Sequence, residues 1–231
     1  MKTMPILLLA ASLCAVPATA AERRYSVTDF DRVQVDGPYE VVLSTGGTSH
    51  ASASGGTAAL ERVAVDVQGR TLRIRPNRTA SGGNSAAARG PVRITLSTRD
   101  IRSATVIGPG SLAIDRARGL KLDLSLSGSG RLSVANVAAD TLVVGLIGSG
   151  SIHLAGTAKQ MRASAEGSGD IDARALEAED ADLVAGTSGK IVLEAKRTAK
   201  VRAHGRGLVE IAGSPACTVS GPAAGFVRCG K

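Results

Sequence analysis

A triplet that ends in glycine, and in five of six copies also begins with it, recurs in the second half of this chain, and its spacing constrains the fold more than any other feature. The triplets are Gly108-Pro109-Gly110, Gly128-Ser129-Gly130, Gly148-Ser149-Gly150, Gly167-Ser168-Gly169, Thr187-Ser188-Gly189 and Gly205-Arg206-Gly207. Their last glycines are separated by 20, 20, 19, 20 and 18 residues. Repeats of this length are typical of a solenoid, because one coil cannot bury its apolar face without its neighbours.

Apolar residues flank every triplet at a period of two, which is the period of a β-strand. They stand two and four residues after the last glycine and four and six residues before it, as Leu126 and Leu132 do around Gly130. We therefore predict an all-β fold, a parallel β-solenoid of about six coils of 18–20 residues over residues 101–213. Residues 33–43 repeat the pattern earlier in the chain, with Tyr39 in place of the last glycine.

Charged residues at equivalent positions of successive coils test whether the coils stack in register. Like charges on adjacent strands repel each other, and at four of the offsets that carry charge no like charges fall on adjacent coils. We predict the neighbours Arg162 with Asp182 and Lys200, Asp170 with Lys190, Arg174 with Glu194, and Glu177 with Arg197.

Residues 25–100 are less regular than the repeats. Residues 63–75 predict a β-hairpin with Gln68 and Gly69 at its turn, residues 57–62 a short helical turn, and residues 92–96 another strand. Residues 44–56 and 77–90 are rich in small and polar residues, so we expect loops there. Because the end of a solenoid exposes unpaired strand edges, we predict that the hairpin region covers one end.

The first 20 residues have the features of a secretory signal peptide. Lys2 precedes an apolar run over residues 6–16 and an Ala18-Thr19-Ala20 cleavage site. The alternative, a membrane anchor, needs about 20 apolar residues, which this run does not supply. We therefore predict cleavage near Ala20 and an exported protein of the periplasm or cell envelope, with a single domain over residues 21–231.

Two cysteines follow the signal peptide, Cys217 and Cys229. In an oxidising compartment such a pair predicts a disulfide. A metal site is the alternative, but no His, Asp or Glu lies between or beside the two cysteines. We expect residues 214–231, closed by this disulfide and including Phe226, to cover the second end of the solenoid.

The chain is basic, with a net charge of +8. A basic exported protein is attracted to anionic lipid headgroups or acidic polysaccharide, although solubility alone is an alternative explanation of the charge. Aromatic residues make up 2% of the chain, which, together with export, argues against nucleic acid as a partner. No stretch after the signal peptide is apolar for long enough to cross a bilayer, so we expect no transmembrane segment in the mature chain.

The sequence predicts no catalytic, cofactor or metal site. The glycine triplets lead into strands rather than helices, so they do not match a nucleotide-binding loop. The histidines are His50, His153 and His204, and none has partners expected to converge on it. The closest approach to the carboxylate cluster of a polysaccharide-cleaving solenoid is the set Asp170, Asp172 and Asp182 with Arg162 or Lys190.

The chain resembles the head GIN domain of putative autotransporter adhesins. Three features carry the resemblance: the opening FDRVQVDGPYEVVLSTG at residues 30–46, the hairpin ERVAVDVQGRTLRI at residues 61–74, and the GPGSL, GSGRL, GSGSI and GSGDI turns that follow. It covers about residues 29–213. The resemblance implies a bacterial, exported β-solenoid and brings no catalytic residues with it.

We therefore predict an exported, non-enzymatic binding or adhesion module that contacts anionic polysaccharide or lipid headgroups of the cell envelope. The basic residues expected to face the ligand are Arg131, Lys190 and Arg206. The first alternative is a structural role in which solenoids self-associate end to end. The second is a polysaccharide-active enzyme that uses the aspartates named above.

Overall fold

The computed structural model describes residues 21–77 and 90–230. The predicted signal peptide and almost all of the predicted loop at residues 77–90 lie outside these ranges. The strands are β1 Ala21–Tyr25, β2 Arg32–Asp36, β3 Glu40–Thr45, β4 His50–Gly55, β5 Val63–Gln68, β6 Thr71–Pro76, β7 Val92–Thr98, β8 Ser103–Ile107, β9 Ser111–Ile114, β10 Ala117–Gly128, β11 Arg131–Gly148, β12 Ser151–Gly167, β13 Asp170–Thr187, β14 Ile191–Ala203, β15 Val209–Ala212, β16 Ala216–Ser220 and β17 Val227–Cys229. One helical turn, α1, covers Thr57–Leu60, and a 3-10 turn covers Ala224–Phe226.

The repeats form a parallel β-solenoid, as the glycine spacing predicts. Each coil has a pre-turn strand before the glycine triplet and a post-turn strand after it. A bend and a short return segment then lead to the next pre-turn strand. Strands β11 to β14 each run from a post-turn strand around the bend into the following pre-turn strand, and each pairs in parallel with the next. Equivalent residues stack inside the solenoid, so Leu126 pairs with Leu146 and Leu146 with Ala165.

The glycine triplets lie above one another along one edge of the solenoid, which we call the glycine edge. In the first four triplets the first glycine has a left-handed backbone, with φ of +125° at Gly128 and +115° at Gly148, a conformation that other residues rarely adopt. The last glycine meets the coil below it. A Cβ on Gly150 would lie 2.5 Å from the carbonyl oxygen of Gly130. This edge therefore accepts glycine for two separate reasons.

The N-terminal part adds two more coils and a set of antiparallel strands. Strands β2 and β3 stack in parallel on β8 and β9, so the early copy of the repeat forms a coil of the same solenoid. Strands β6 and β7 form the next coil outward. The predicted hairpin is confirmed, because β5 pairs antiparallel with β6. It lies at the N-terminal end of the stack, together with β4 and β1. Strand β4 pairs antiparallel with β7, and β1 pairs antiparallel with β4.

The predicted loop at residues 44–56 is wrong over β4. Ala51 and Ala53 point into the core, while Ser52 and Ser54 are partly exposed, so the segment alternates as a strand does. Alanine and serine carry little strand propensity. Antiparallel pairing with β7 decides the conformation of this segment.

The C-terminal residues form a further short coil. β16 pairs in parallel with β14, and β17 pairs in parallel with β15. The Cys217–Cys229 disulfide joins β16 to β17 with a Cα–Cα distance of 6.5 Å. Phe226, which the sequence indicated as a cover for this end, leaves 47% of its surface exposed. Over the described residues, no helix has the length and apolar character needed to cross a bilayer.

The coils differ in length, and the extra or missing residues lie at the bend after the post-turn strand. Register shifts occur there between β11 and β12, between β12 and β13, and between β13 and β14. The predicted neighbours Arg162 and Asp182, and then Asp182 and Lys200, are confirmed on the pre-turn side, which keeps register.

The two charge pairs predicted across the bend are wrong. Arg174 binds Asp172 instead of Glu194, and the register shift places Glu177 opposite Glu194. Lys196 then reaches Glu177 at 2.5 Å, and Arg197 binds Asp180. The opposite signs still meet, but between different partners from those that the spacing predicts.

Candidate binding surfaces

A groove of about 570 Å³ runs along the outside of the post-turn sheet beside the bend, and we call it the post-turn groove. Its outward-facing column passes from Val42 through Ala113, Ser133 and His153 to Asp172, which are paired coil by coil. Four coil steps of about 4.8 Å give it a length of about 19 Å. Ala135, Ala155 and Ala175 line the bend side.

Small apolar side chains make the groove. The bend residues are alanines where a longer side chain would fill the space, and most of the lining surface is apolar. The volume lies within the range of about 300–1,000 Å³ that is typical of ligand sites. The polar groups are confined to its two ends and to Ser133 and His153. This arrangement suits a ligand with a long apolar part.

The C-terminal end of the groove carries an ion pair. The Arg174 Nε donates to the Asp172 Oδ1 at 2.8 Å. Partial burial raises the pKa of the Asp172 carboxyl, but the hydrogen bonds from Arg174 and the charges of Arg174 and His153 outweigh it, so that this pKa lies below its ordinary value. Asp172 therefore stays ionised and neutralises Arg174 at neutral pH.

The N-terminal end of the groove is held by Asp115. Its Oδ1 accepts hydrogen bonds from the Thr45 backbone N at 2.9 Å and from the Thr45 hydroxyl at 3.2 Å. These bonds tie the end of β3 to the end of β9. The next residue, Arg116, lines a second and smaller cavity.

This smaller cavity, which we call the arginine pocket, has a volume of about 130 Å³. Its lining includes the exposed side chains of Arg99, Arg116 and Arg118, together with Thr45 and Asp100. Over the described part of the chain, none of these three guanidinium groups is within ion-pair distance of a carboxylate. The Arg116 Nη2 makes one long hydrogen bond, 3.5 Å, to the Thr45 carbonyl oxygen.

The basic residues singled out from the sequence lie along the glycine edge and do not converge. Arg131 and Lys190 occupy the same column, but Ser151 and Asp170 separate them. Lys190 binds Glu210 at 2.7 Å, and its hydrogen bond lowers the pKa of the Glu210 carboxyl. Arg206 stands in the last triplet. That these residues face a ligand stays a prediction.

The aspartates considered for a polysaccharide-cleaving site are not assembled. Asp170 and Asp172 lie on the post-turn side, whereas Asp182 lies on the pre-turn side and binds Arg202 at 3.1 Å. Asp170 Oδ1 accepts a hydrogen bond from the Lys190 backbone N at 2.6 Å. Across residues 21–77 and 90–230, no three His, Cys, Asp or Glu side chains are grouped so as to hold a metal ion.

Sequence reasoning missed both the groove and the arginine pocket. His153, considered alone in the sequence, lines the groove beside Asp172. The alanines at positions 135, 155 and 175 carry no chemical signal of a site. Arg116 and Arg118 are separated by one residue in the sequence DRARGLK, which was the one signal available, but Arg99 joins them only through the fold.

Comparison with solved structures shows the same fold in several bacterial proteins. A putative adhesin of Bacteroides fragilis is 20% identical with a TM-score of 0.79, and the match covers 88% of this chain and 94% of that one. A putative lipid binding protein of Parabacteroides distasonis is 18% identical with a TM-score of 0.69, covering 93% and 97%. A putative adhesin of Parabacteroides merdae is 18% identical with a TM-score of 0.65, covering 93% and 96%.

At these identities the solved structures establish the fold and nothing more. No curated protein matches the sequence at a significant level. A family model, described as "Putative auto-transporter adhesin, head GIN domain", matches residues 29–215. The resemblance drawn from the opening segment, the hairpin and the glycine turns is therefore confirmed, and the chain belongs to the auto-transporter adhesin head GIN domain family.

Proposed function

We propose that this adhesion-type module binds a lipid of the bacterial envelope by its apolar part, in the post-turn groove. The observation that carries the proposal is the groove itself, about 570 Å³ in volume, with an apolar lining and polar groups at its ends. Burial of an acyl chain contributes about 0.8 kcal/mol per CH₂ group. A groove about 19 Å long offers room for many such groups.

A polysaccharide fits this groove less well than a lipid does. A sugar chain presents many hydroxyl groups, and each hydroxyl that is buried without a partner costs free energy. The lining of the groove offers only a few hydrogen-bonding side chains, among them Ser133 and His153. An anionic polysaccharide would instead have to bind the glycine edge, at Arg131, Lys190 and Arg206, where the sequence predicted a ligand.

Displacement of a fluorescent fatty acid from the purified protein tests the proposal. We expect saturable binding of one probe per chain that phospholipids displace. Ala113→Trp and Ala135→Trp would each fill the groove from an exposed position and weaken binding by about tenfold or more. Ser125→Trp, exposed on the pre-turn sheet, is the matched control and should bind as the natural protein does.

Two results would overturn the lipid proposal. One is probe binding that survives both groove variants. The other is salt-sensitive binding to an acidic polysaccharide, lost when Arg131, Lys190 and Arg206 are changed to Ala but unaffected by Ala113→Trp. The second result would establish the polysaccharide as the ligand and the glycine edge as the binding surface.

Self-association is the second candidate function, because the C-terminal end of the solenoid is open. Cys217 and Phe226 of the last coil are exposed, and Val219 and Val227 are half-buried. β16 and β17 are the last strands of their sheets and offer free edges. Size-exclusion chromatography over a range of concentrations distinguishes the two functions. Oligomers that Phe226→Ser abolishes support end-to-end assembly, whereas a monomer at every concentration rules it out.

Export to the periplasm or cell envelope belongs to the same proposal. It rests on the predicted signal peptide at residues 1–20 and on the Cys217–Cys229 disulfide, since disulfides persist in oxidising compartments. Cell fractionation with detection of the processed chain tests it. Retention of the full-length chain in the cytoplasm would overturn it.

A further inference from the structure

The arginine pocket brings three arginines and one aspartate, Asp100, to one cavity, and over the described residues none of the three guanidinium groups forms an ion pair. Arg99, Arg116 and Arg118 come from two turns of the solenoid and line one cavity. Several exposed cations elsewhere in the stack are paired across coils, as Lys159 is with Asp140 at 2.7 Å and Arg202 with Asp182 at 3.1 Å. Three like charges that share a cavity repel each other. Features that cost stability without a local gain are concentrated at functional sites.

The three side chains suit a tetrahedral oxyanion. A guanidinium group presents its N–H donors in a planar fork that matches phosphate oxygens, and it stays charged at any physiological pH. A phosphate group has enough oxygens to accept from three separate guanidinium groups, whereas a carboxylate has only two. A cavity of about 130 Å³ holds the volume of about four water molecules, which leaves room for a phosphate group.

The pocket adjoins the N-terminal end of the post-turn groove. Asp115 lines the groove, Arg116 lines the pocket, and both residues bind Thr45. Leu120 follows Arg118 by two residues and leaves 79% of its surface exposed. A lipid whose phosphate group lies in the pocket could place its chain in the adjoining groove.

We propose that Arg99, Arg116 and Arg118 form a binding site for a phosphate group. The phosphate belongs either to the headgroup of a lipid whose chain lies in the groove or to a free phosphate compound. The first source rests on the proposed function, and the second does not. The chemistry of recognition is the same in both cases.

Calorimetric titration of the purified protein at low ionic strength tests the site. The probes are inorganic phosphate, dodecyl phosphate and dodecyl maltoside, of which the last two share a chain and differ in headgroup charge. We expect Arg118→Ala and Arg99→Ala each to weaken binding of the phosphate probes by about tenfold and to leave dodecyl maltoside unaffected. Arg228→Ala removes an exposed arginine from β17, at the C-terminal end of the solenoid, and is the matched control.

The outcomes separate this proposal from the proposed function. If dodecyl phosphate and dodecyl maltoside bind equally well and neither depends on Arg118, the phosphate site is overturned while the groove keeps its role. If inorganic phosphate binds through Arg118 but no amphiphile binds, the site stands and the lipid proposal fails. If Arg228→Ala weakens the phosphate probes as much as Arg118→Ala does, the effect is one of net charge and the site is overturned.

Discussion

The glycine edge and the bend are two corners of the same coils, and they tolerate irregularity very differently. At the glycine edge, every triplet from Gly108 to Gly207 keeps its register even though the coils differ in length by up to two residues. At the bend, the register shifts between successive coils. Both binding surfaces that carry our proposals adjoin the bend.

The difference follows from what each corner packs against. At the glycine edge, backbone stands against backbone, with a hydrogen bond of 2.9 Å from the Gly150 N to the Gly128 carbonyl oxygen. At the last glycine of a triplet, a side chain would meet the backbone of the neighbouring coil; at the first position, Thr187 is accommodated, buried and donating its hydroxyl to the Gly169 carbonyl oxygen.

At the bend, Gly156 also stands against the backbone of Val137, but the residues just before that contact, such as Ala135 and Asn136 of the preceding coil, are exposed. A residue added at such an exposed position displaces solvent. One corner fixes the fold, and the other is free to form sites.

Single-residue insertions should show the largest contrast between the two corners. One alanine inserted after Ala155 lengthens a coil of 19 residues to the 20 of its neighbours, and we expect a change of less than about 1 kcal/mol in the free energy of unfolding. One alanine inserted after Ser149 shifts the strand that follows, which exchanges its core and solvent faces, and should cost more than about 4 kcal/mol.

Chemical denaturation of the two insertion variants measures this contrast. Equal losses of stability in both would contradict the distinction between the corners. A large loss of stability from the bend insertion alone would show that the bend, and not the glycine edge, is the corner that does not tolerate an added residue.

A methyl group on the glycine edge should cost less than an insertion but still a substantial amount. In Gly150→Ala the new Cβ would lie 2.5 Å from the Gly130 carbonyl oxygen and 2.7 Å from the Leu126 Cδ2. We expect a loss of about 2–3 kcal/mol in unfolding free energy. Gly145→Ala, where the nearest atom is the Ser125 Oγ at 3.9 Å, should be neutral or slightly stabilising. Similar thermal unfolding of the two variants would disprove the backbone contact.

In the coil of β2 and β3, Tyr39 stands where the other coils have the last glycine of the triplet. It lies beside Gly110 of the next coil. Burial, and to a lesser degree the charges of Asp36 and Tyr25, raise the pKa of Tyr39 to about 12. Because the folded pKa exceeds the ordinary value of about 10, the folded state gains stability that is complete below pH 10. It loses that stability as the pH rises through 12.

Ultraviolet absorbance of the phenolate, measured in Tyr25→Phe, isolates the Tyr39 titration. We expect ionisation near pH 12 in the folded protein and near pH 10 in urea. Tyr39→Phe should remove that part of the alkaline loss of stability. A folded-state titration near pH 10 would show that the ring is solvated.

The smallest expected effect concerns charge pairs at the bend. A double-mutant cycle on Glu177 and Lys196 should give a small favourable coupling, and a cycle on Glu177 and Arg197 should give none, because the register shift separates the second pair. High salt should remove the coupling, since both pairs are exposed. Coupling between Glu177 and Arg197 would contradict the register shift and support the uniform register that the spacing predicted.

The sequence predicted the glycine edge well because two local signals agree there. Glycine recurs where only glycine fits, and apolar residues alternate on both sides of it, so that the strands, their parallel stacking and the early copy at residues 33–43 follow. The hairpin at residues 63–75 has an equally local signal in Gln68 and Gly69. The disulfide follows from two cysteines in a chain with a predicted signal peptide.

The rest depends on information that spacing does not contain. The spacing of 18 residues between Gly189 and Gly207 shows that this coil is two residues shorter than the coil before it. The spacing does not show which part of the coil is shorter. β4 pairs through its backbone, and its alternating Ala and Ser residues carry almost no hydropathy contrast. The groove is defined by side chains that are small, and the arginine pocket joins Arg99 to Arg116 across a gap that only the stacking of coils closes.

The register shifts at the bend have a consequence for how this fold diversifies. A chain that can gain or lose a residue at one corner, without disturbing the opposite one, can reshape the groove beside that corner while its core stays intact. Relatives with the same backbone could then recognise different molecules through changes in coil length alone. For protein engineering, the bend is the place to graft loops onto this scaffold.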